Sequence, residues 1–226
     1  MIPLIKAKKS LGQNFLIDNN IIEKIVEIGN INKNKTVMEI GAGYGSLTQA
    51  IALREPKRIL AIEKDKKLAI FLKNKFKNYN NIKIINLDAL NIIKENNLKK
   101  NIIVFGNLPY NTSTKILSSL ILLKKWPPWY KILILMFQKE VADRIMAKAQ
   151  SKENNRLGIL SNWRLEIKKH FNVSNNCFFP KPKITSTVLS FEPKKNNQFN
   201  LKNPQNLEKI TRILFSNRRK KINKKF

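Results

Sequence analysis

Asn107, Leu108, Pro109 and Tyr110 together supply what is needed to hold a flat ring that bears an amino group. Asn107 offers a side-chain carbonyl as acceptor. Pro109 fixes its own φ and keeps Leu108 extended, so the Leu108 carbonyl can turn outward as a second acceptor. Tyr110 adds an aromatic face on which a ring can stack. Two acceptors and a platform make a receptor for an exocyclic amine. The same four residues would also serve as a plain strand-to-loop turn with Asn as a helix cap, so the neighbouring elements have to decide.

Residues 101–106 are a short apolar run, which reads as a buried parallel strand. Asn107 then stands at a strand's carboxyl end, where open α/β sheets place their ligands. Three earlier strand ends carry ligand-type residues as well. A strand over 36–40 runs into Gly41-Ala42-Gly43-Tyr44-Gly45, with a helix expected from Ser46 to about Leu53. The spacing is neither the dinucleotide fingerprint nor a P-loop, but its glycines let a ligand approach the backbone. A strand over 58–62 ends in Glu63, placed to hold a ribose diol. A strand over 82–87 ends in Asp88. The ordered series Gly-rich turn, Glu63, Asp88 and Asn107 describes an adenosine-containing cofactor with a base receptor beside it.

The remaining elements frame that edge. Residues 6–18 read as a basic run and loop, and Asp18 as the N-cap of a helix over 19–28 closed by Gly29. Helices are expected near 65–76, 113–123, 139–149 and 156–164, with further strands near 132–137, 165–171 and 187–191. The stretch 175–183 is too Pro-rich to be regular, and it sets Phe178 and Phe179 among cations. That mixture grips unpaired bases by stacking and phosphate neutralisation, although one of the two rings is expected to fill the core. A last helix is expected from Pro204, followed by a basic tail from Asn217 to Lys225.

Among 226 residues, 44 Lys and Arg face 15 Asp and Glu, a net charge of +29, which points to a polyanionic partner such as nucleic acid. Heavy use of Lys, Asn and Ile throughout contributes to that figure. A single cysteine, Cys177, excludes intrachain disulfides and Cys-based metal clusters and fits a reducing cytosol. No metal site, signal peptide or bilayer-spanning run is expected.

With these motifs in order, the chain resembles the KsgA-type small-subunit ribosomal RNA adenine dimethyltransferases. The resemblance is carried by Gly12-Gln-Asn-Phe-Leu16, Glu39-Ile-Gly-Ala-Gly-Tyr-Gly-Ser-Leu-Thr48, Asn107-Leu-Pro-Tyr-Asn111, Gln138-Lys-Glu-Val-Ala142, Phe179-Pro-Lys-Pro-Lys183 and Phe215-Ser-Asn-Arg-Arg-Lys220. It implies an α/β, Rossmann-like S-adenosylmethionine-dependent methyltransferase fold over 1–192, then a linker, short helix and basic tail over 193–226. The family continues beyond Arg218-Arg-Lys-Lys through a helical domain, so a truncated C-terminal helical extension is expected here. Ala42 stands where the family usually has Pro.

By position, the resemblance implies that Asn14, Leu16, Gly41, Glu63, Asp88 and Asn107 bind S-adenosylmethionine; the residue chemistry above assigns the transfer to Asn107, Leu108, Tyr110 and Phe179. The implied substrate is two adjacent adenosines near the 3′ end of small-subunit (16S) rRNA in a pre-ribosomal 30S particle. The acting species is expected to be a cytoplasmic monomer without membrane contact. The rivals are a large-subunit rRNA dimethyltransferase of the macrolide-resistance type, a DNA adenine methyltransferase and a non-catalytic ribosome-assembly factor.

Overall fold

In the computed structural model, residues 7–8, 12–94, 98–148, 151, 153–195, 201 and 203–216 are described. The basic tail from residue 217 lies outside them.

Asp18 caps α1 (Asn19–Ile28) by accepting from the Ile21 N–H, and Ile22, Ile25 and Val26 bury the helix's apolar stripe. Five parallel strands follow: β2 (Thr36–Ile40), β3 (Arg58–Ile62), β4 (Ile82–Ile85), β5 (Ile102–Gly106) and β6 (Tyr130–Gln138). The helices between them are α2 (Ser46–Ala52), α3 (Lys66–Lys75), α4 (Ala89–Ile93) and α5 (Tyr110–Ile121). After α6 (Lys139–Met146) and α7 (Arg156–Arg164), the chain adds β7 (Leu165–Val173) and β9 (Ser186–Pro193). The sheet runs β4-β3-β2-β5-β6-β9-β7, with β9 antiparallel to both of its neighbours.

This order fixes where a ligand can sit. From β2 the chain builds outward through β3 and β4, then returns to lay β5 on the other side of β2. The two crossovers diverge there, opening a crevice beyond the carboxyl ends of β2 and β5. The strands are near-continuous apolar runs because helices cover both faces. Leu47 and Ile51 of α2 join the α1 stripe on one face; Ile92, Leu117, Leu120, Ala142, Ile145 and Leu160 cover the other.

The structure corrects several expected boundaries. β4 ends at Ile85, before Leu87. α5 begins at Tyr110 rather than Ser113, so Tyr110 is the first helical residue after Pro109. α6 ends at Met146, before the expected 149. The segments read as irregular contain a second, two-stranded sheet: β1 (Phe15–Leu16) pairs antiparallel with β8 (Phe178–Phe179), matching Phe15 with Phe179 and Leu16 with Phe178. α8 (Pro204–Ser216) packs on α7, with an Arg156–Glu208 ion pair at 3.3 Å and Thr211 buried.

Candidate active site

A cavity of about 260 Å³ opens at the crevice. Its walls come from the Gly-rich turn, from Glu63 and Lys64 after β3, from Leu87 to Leu90, from Asn107 to Thr112, and from Gly12 to Phe15. The cavity therefore gathers Asn14, Gly41, Glu63, Asp88, Asn107, Leu108 and Tyr110. Leu16 and Phe179 are not on its wall. The Leu16 side chain is buried in the core, and Phe179 stands exposed across the β1–β8 ladder from Phe15.

The turn after β2 needs glycine at positions 41 and 43, with φ of +78° and +57°. Its carbonyls are held from behind: the Lys75 ammonium donates to those of Tyr44 at 3.0 Å and Gly45 at 3.4 Å. Beneath it Glu39 is buried, and the Thr48 hydroxyl donates to its carboxyl group, tying β2 to α2. Burial pushes the Glu39 carboxyl up to about 8, against the pull of the Thr48 hydrogen bond.

Glu63 accepts from the Gly43 N–H at 2.9 Å and from the Asp65 N–H at 2.8 Å. Each carboxylate oxygen can accept more than once, so lone pairs remain for hydroxyl donors. Burial raises its pKa above the usual carboxylate range, and the two backbone N–H groups pull the other way. Asp88 caps α4 by accepting from the Leu90 N–H, and its second oxygen meets the Lys64 ammonium at 2.8 Å. These contacts, Lys64 foremost, hold Asp88 below the ordinary range, so it is an anion at neutral pH.

Asn107 is oriented by the N-terminal segment: its Nδ2 donates to the Asn14 carbonyl at 2.9 Å. A carbonyl can only accept, so this contact takes one of the two Nδ2 hydrogens and leaves Oδ1 as the side chain's acceptor. The Leu108 side chain is buried, so only its main chain can serve the cavity. Tyr110 Oη lies 2.8 Å from the buried Ser186 Oγ, which fixes the ring at the start of α5. Burial raises the Tyr110 pKa, so the hydroxyl stays neutral.

Sequence reasoning missed Lys8, Phe15, Asp65 and Ser186. Phe15 seats its ring on the turn, where a Cβ added to Gly43 would meet it at 2.9 Å, and stands edge-on to Tyr44 at 4.5 Å. The Lys8 ammonium reaches the buried Asp65 carboxylate at 2.6 Å.

Residues 4–226 match the family described as ribosomal RNA adenine dimethylase. The chain belongs to that family. It is 52% identical, over 98% of its length and 83% of the relative's, to ribosomal RNA small subunit methyltransferase A of Pelagibacter ubique. It is 43% identical to the protein of that name from Malacoplasma penetrans, over 96% of this chain and 76% of that one. A dimethyladenosine transferase from Plasmodium falciparum superposes with a TM-score of 0.77 at 29% identity, covering 94% of this chain and 74% of that structure. The Rossmann-like methyltransferase fold expected from the sequence is the observed one. The family's cofactor is S-adenosylmethionine, and the cavity's polar groups fit it: carboxylates that can accept from ribose hydroxyls and an amine, with Gly41 and Gly43 of the turn on the wall.

Proposed function

We propose that the protein transfers methyl groups from S-adenosylmethionine to the exocyclic amine of two adjacent adenosines near the 3′ end of small-subunit rRNA, giving N6,N6-dimethyladenosine. The observation that carries this reading is the Asn107 amide on the cavity wall, whose Nδ2 donates to the Asn14 carbonyl and whose Oδ1 is left to accept. We assign cofactor binding to Asn14, Gly41, Glu63, Asp88 and Asn107, which line the cavity, and to Leu16 on the family resemblance alone. Glu63 would hold the ribose hydroxyls and Asp88 the adenine amino group.

When bound, the cofactor supplies an electrophilic methyl on a sulfonium. The protein's task is to bring a poor nucleophile into line, and such positioning contributes on the order of 7–11 kcal/mol. The target amine is poor because its lone pair is delocalised into the ring. Asn107 Oδ1 and the Leu108 carbonyl, each accepting one hydrogen, favour a pyramidal nitrogen whose lone pair is available. Tyr110, anchored through Ser186, offers its face to the base. Phe179, 43% exposed on the ladder beside Phe15, is placed for stacking on an extruded base or its neighbour. No general base is required, because the methylated ammonium is acidic enough to lose its proton to water.

A net charge of +29 supports an RNA partner, and we read that partner as rRNA within a small-subunit assembly intermediate, met by a monomer in the cytoplasm. We retain 1–192 as the methyltransferase unit, with α8 as the start of the appended segment. Asn107→Ala tests the reading. Calorimetry should still detect cofactor binding while methyl transfer to small subunits is lost. Near-normal turnover would remove Asn107 from the mechanism.

A further inference from the structure

We propose that Lys8 and Asp65 are positioning residues that latch the N-terminal strap over the site, and so hold Asn107 in the orientation that receives the target amine. The inference rests on the reading of Asn107 as the amine receptor. The strap, here residues 8 and 12–16, meets the cavity's walls at the Asn107–Asn111 segment and at the Gly-rich turn. Gly12, at φ +62°, lies against Pro109 and Asn111, where an added Cβ would meet Asn111 Oδ1 at 3.3 Å. Asn14 supplies the carbonyl that commits the Asn107 amide. Phe15 covers Gly43, and Phe15 and Leu16 pair with Phe179 and Phe178.

At its far end the strap is held through Lys8. The ammonium reaches Asp65 Oδ2 at 2.6 Å, and the Asp65 side chain is only 1% exposed. The same carboxylate caps α3 through the Lys67 N–H. The Asp65 N–H in turn donates to Glu63, whose other oxygen accepts from Gly43. One run of contacts thus links Lys8 to the residue assigned to the ribose and to the turn beneath the cofactor. Burial alone would raise the Asp65 carboxyl, but the Lys8 ammonium and the Lys67 N–H leave it below its ordinary value.

At its other end the strap is anchored by Leu16 in the core and by the Ile17 N–H, which donates to the Cys177 carbonyl at 2.9 Å, so the latch holds the end that these contacts leave furthest away. A two-residue antiparallel ladder is marginal without further support. An Asn amide has nearly the same shape in either orientation, so its hydrogen-bond partner decides which end faces the substrate. If the strap lifts, the Asn14 carbonyl leaves and nothing commits the amide. A turned amide would set NH₂ against the amine, donor against donor.

A half-exposed lysine in so basic a chain could instead contact RNA phosphate, and the test separates the two roles. Lys8→Met and Asp65→Ser are compared with wild type and with Lys8→Arg; serine retains an N-cap for α3 but is too short to reach Lys8. The latch predicts that both variants lose kcat by roughly 10- to 100-fold, the effect of slight misplacement of reacting groups. KM for small subunits should change little, and Lys8→Arg should restore turnover. A phosphate contact predicts a raised KM and a shallower salt dependence for Lys8→Met, with Asp65→Ser unaffected, and that pattern would overturn the proposal. Thermal melts confirm that each variant is folded. Amide exchange at residues 14–16 gives a readout independent of catalysis: protection should fall in Lys8→Met and Asp65→Ser. Unchanged protection overturns the latch and leaves the receptor reading standing, whereas turnover by Asn107→Ala overturns the receptor reading and with it the latch's role in orienting Asn107.

Discussion

Replacing Gly43 with Ala, beside a Gly41→Ala control, tests whether Phe15 is seated on the cofactor turn. Both glycines have positive φ, so alanine at either costs about 1–2 kcal/mol of backbone strain. The surroundings differ. A Cβ at position 41 meets only the Asn107 carbonyl oxygen, at 3.5 Å, an ordinary contact. A Cβ at position 43 meets the Phe15 ring at 2.9 and 3.1 Å, where one partner must move. Overpacking of this kind costs about 1–3 kcal/mol in a rigid core. The strap can yield, so the cheapest relief is to lift Phe15 off the turn, and the penalty becomes strap opening rather than unfolding. Since 1.4 kcal/mol is about a factor of ten, Gly43→Ala should lose roughly tenfold more turnover than Gly41→Ala. Urea unfolding should place the two variants within about 1 kcal/mol of each other. The assay is methyl transfer from labelled cofactor to small subunits, with cofactor affinity measured by calorimetry. Equal turnover in the two variants would show that the Phe15–Gly43 contact contributes nothing to the site.

Glu63→Ala should weaken cofactor binding by about 1–3 kcal/mol, the range for a lost hydrogen bond to a charged group, and calorimetry reads this directly. Glu39, ordinarily near 4.5, is raised to about 8 in the folded protein. The native state therefore holds a proton that the unfolded chain releases, and stability should fall as pH rises from about 4.5 through 8. Glu39→Gln should flatten that decline in urea titrations at several pH values; an unchanged slope would assign it to other groups. Phe178→Ala should destabilise by about 3–5 kcal/mol because its ring is buried, whereas Phe179→Ala should leave the melting curve nearly unchanged and slow methylation. Tyr110→Phe should cost about 1–3 kcal/mol, because the buried Ser186 hydroxyl loses its partner, while keeping most turnover, since the ring face remains.

The crevice was legible because strand ends carry their chemistry in short, ordered motifs. Gly41, Glu63, Asp88 and Asn107 each follow an apolar run, and the parallel order then brings them to one edge. That one of Phe178 and Phe179 would be buried also follows from a strand's alternation: Phe178 is 3% exposed and Phe179 43%. The start of α5 at Tyr110 was hidden because its cap, Pro109, makes no side-chain hydrogen bond and so leaves no capping signature. The strap was hidden for a different reason. Two-residue strands have no period to read, and Lys8 meets Asp65 only once the sheet has brought them together. Ser186 likewise acquires its part from β9 passing behind Tyr110.

Substrate choice and product are read together by incubating the protein with labelled S-adenosylmethionine and, separately, small and large ribosomal subunits that lack the modification, then mapping the product by nuclease digestion and mass spectrometry. N6,N6-dimethyladenosine is expected at two adjacent positions near the 3′ end of the small-subunit RNA, and none in the large subunit. Label confined to the large subunit, or no dimethyladenosine from folded, cofactor-binding protein, would contradict the proposed function.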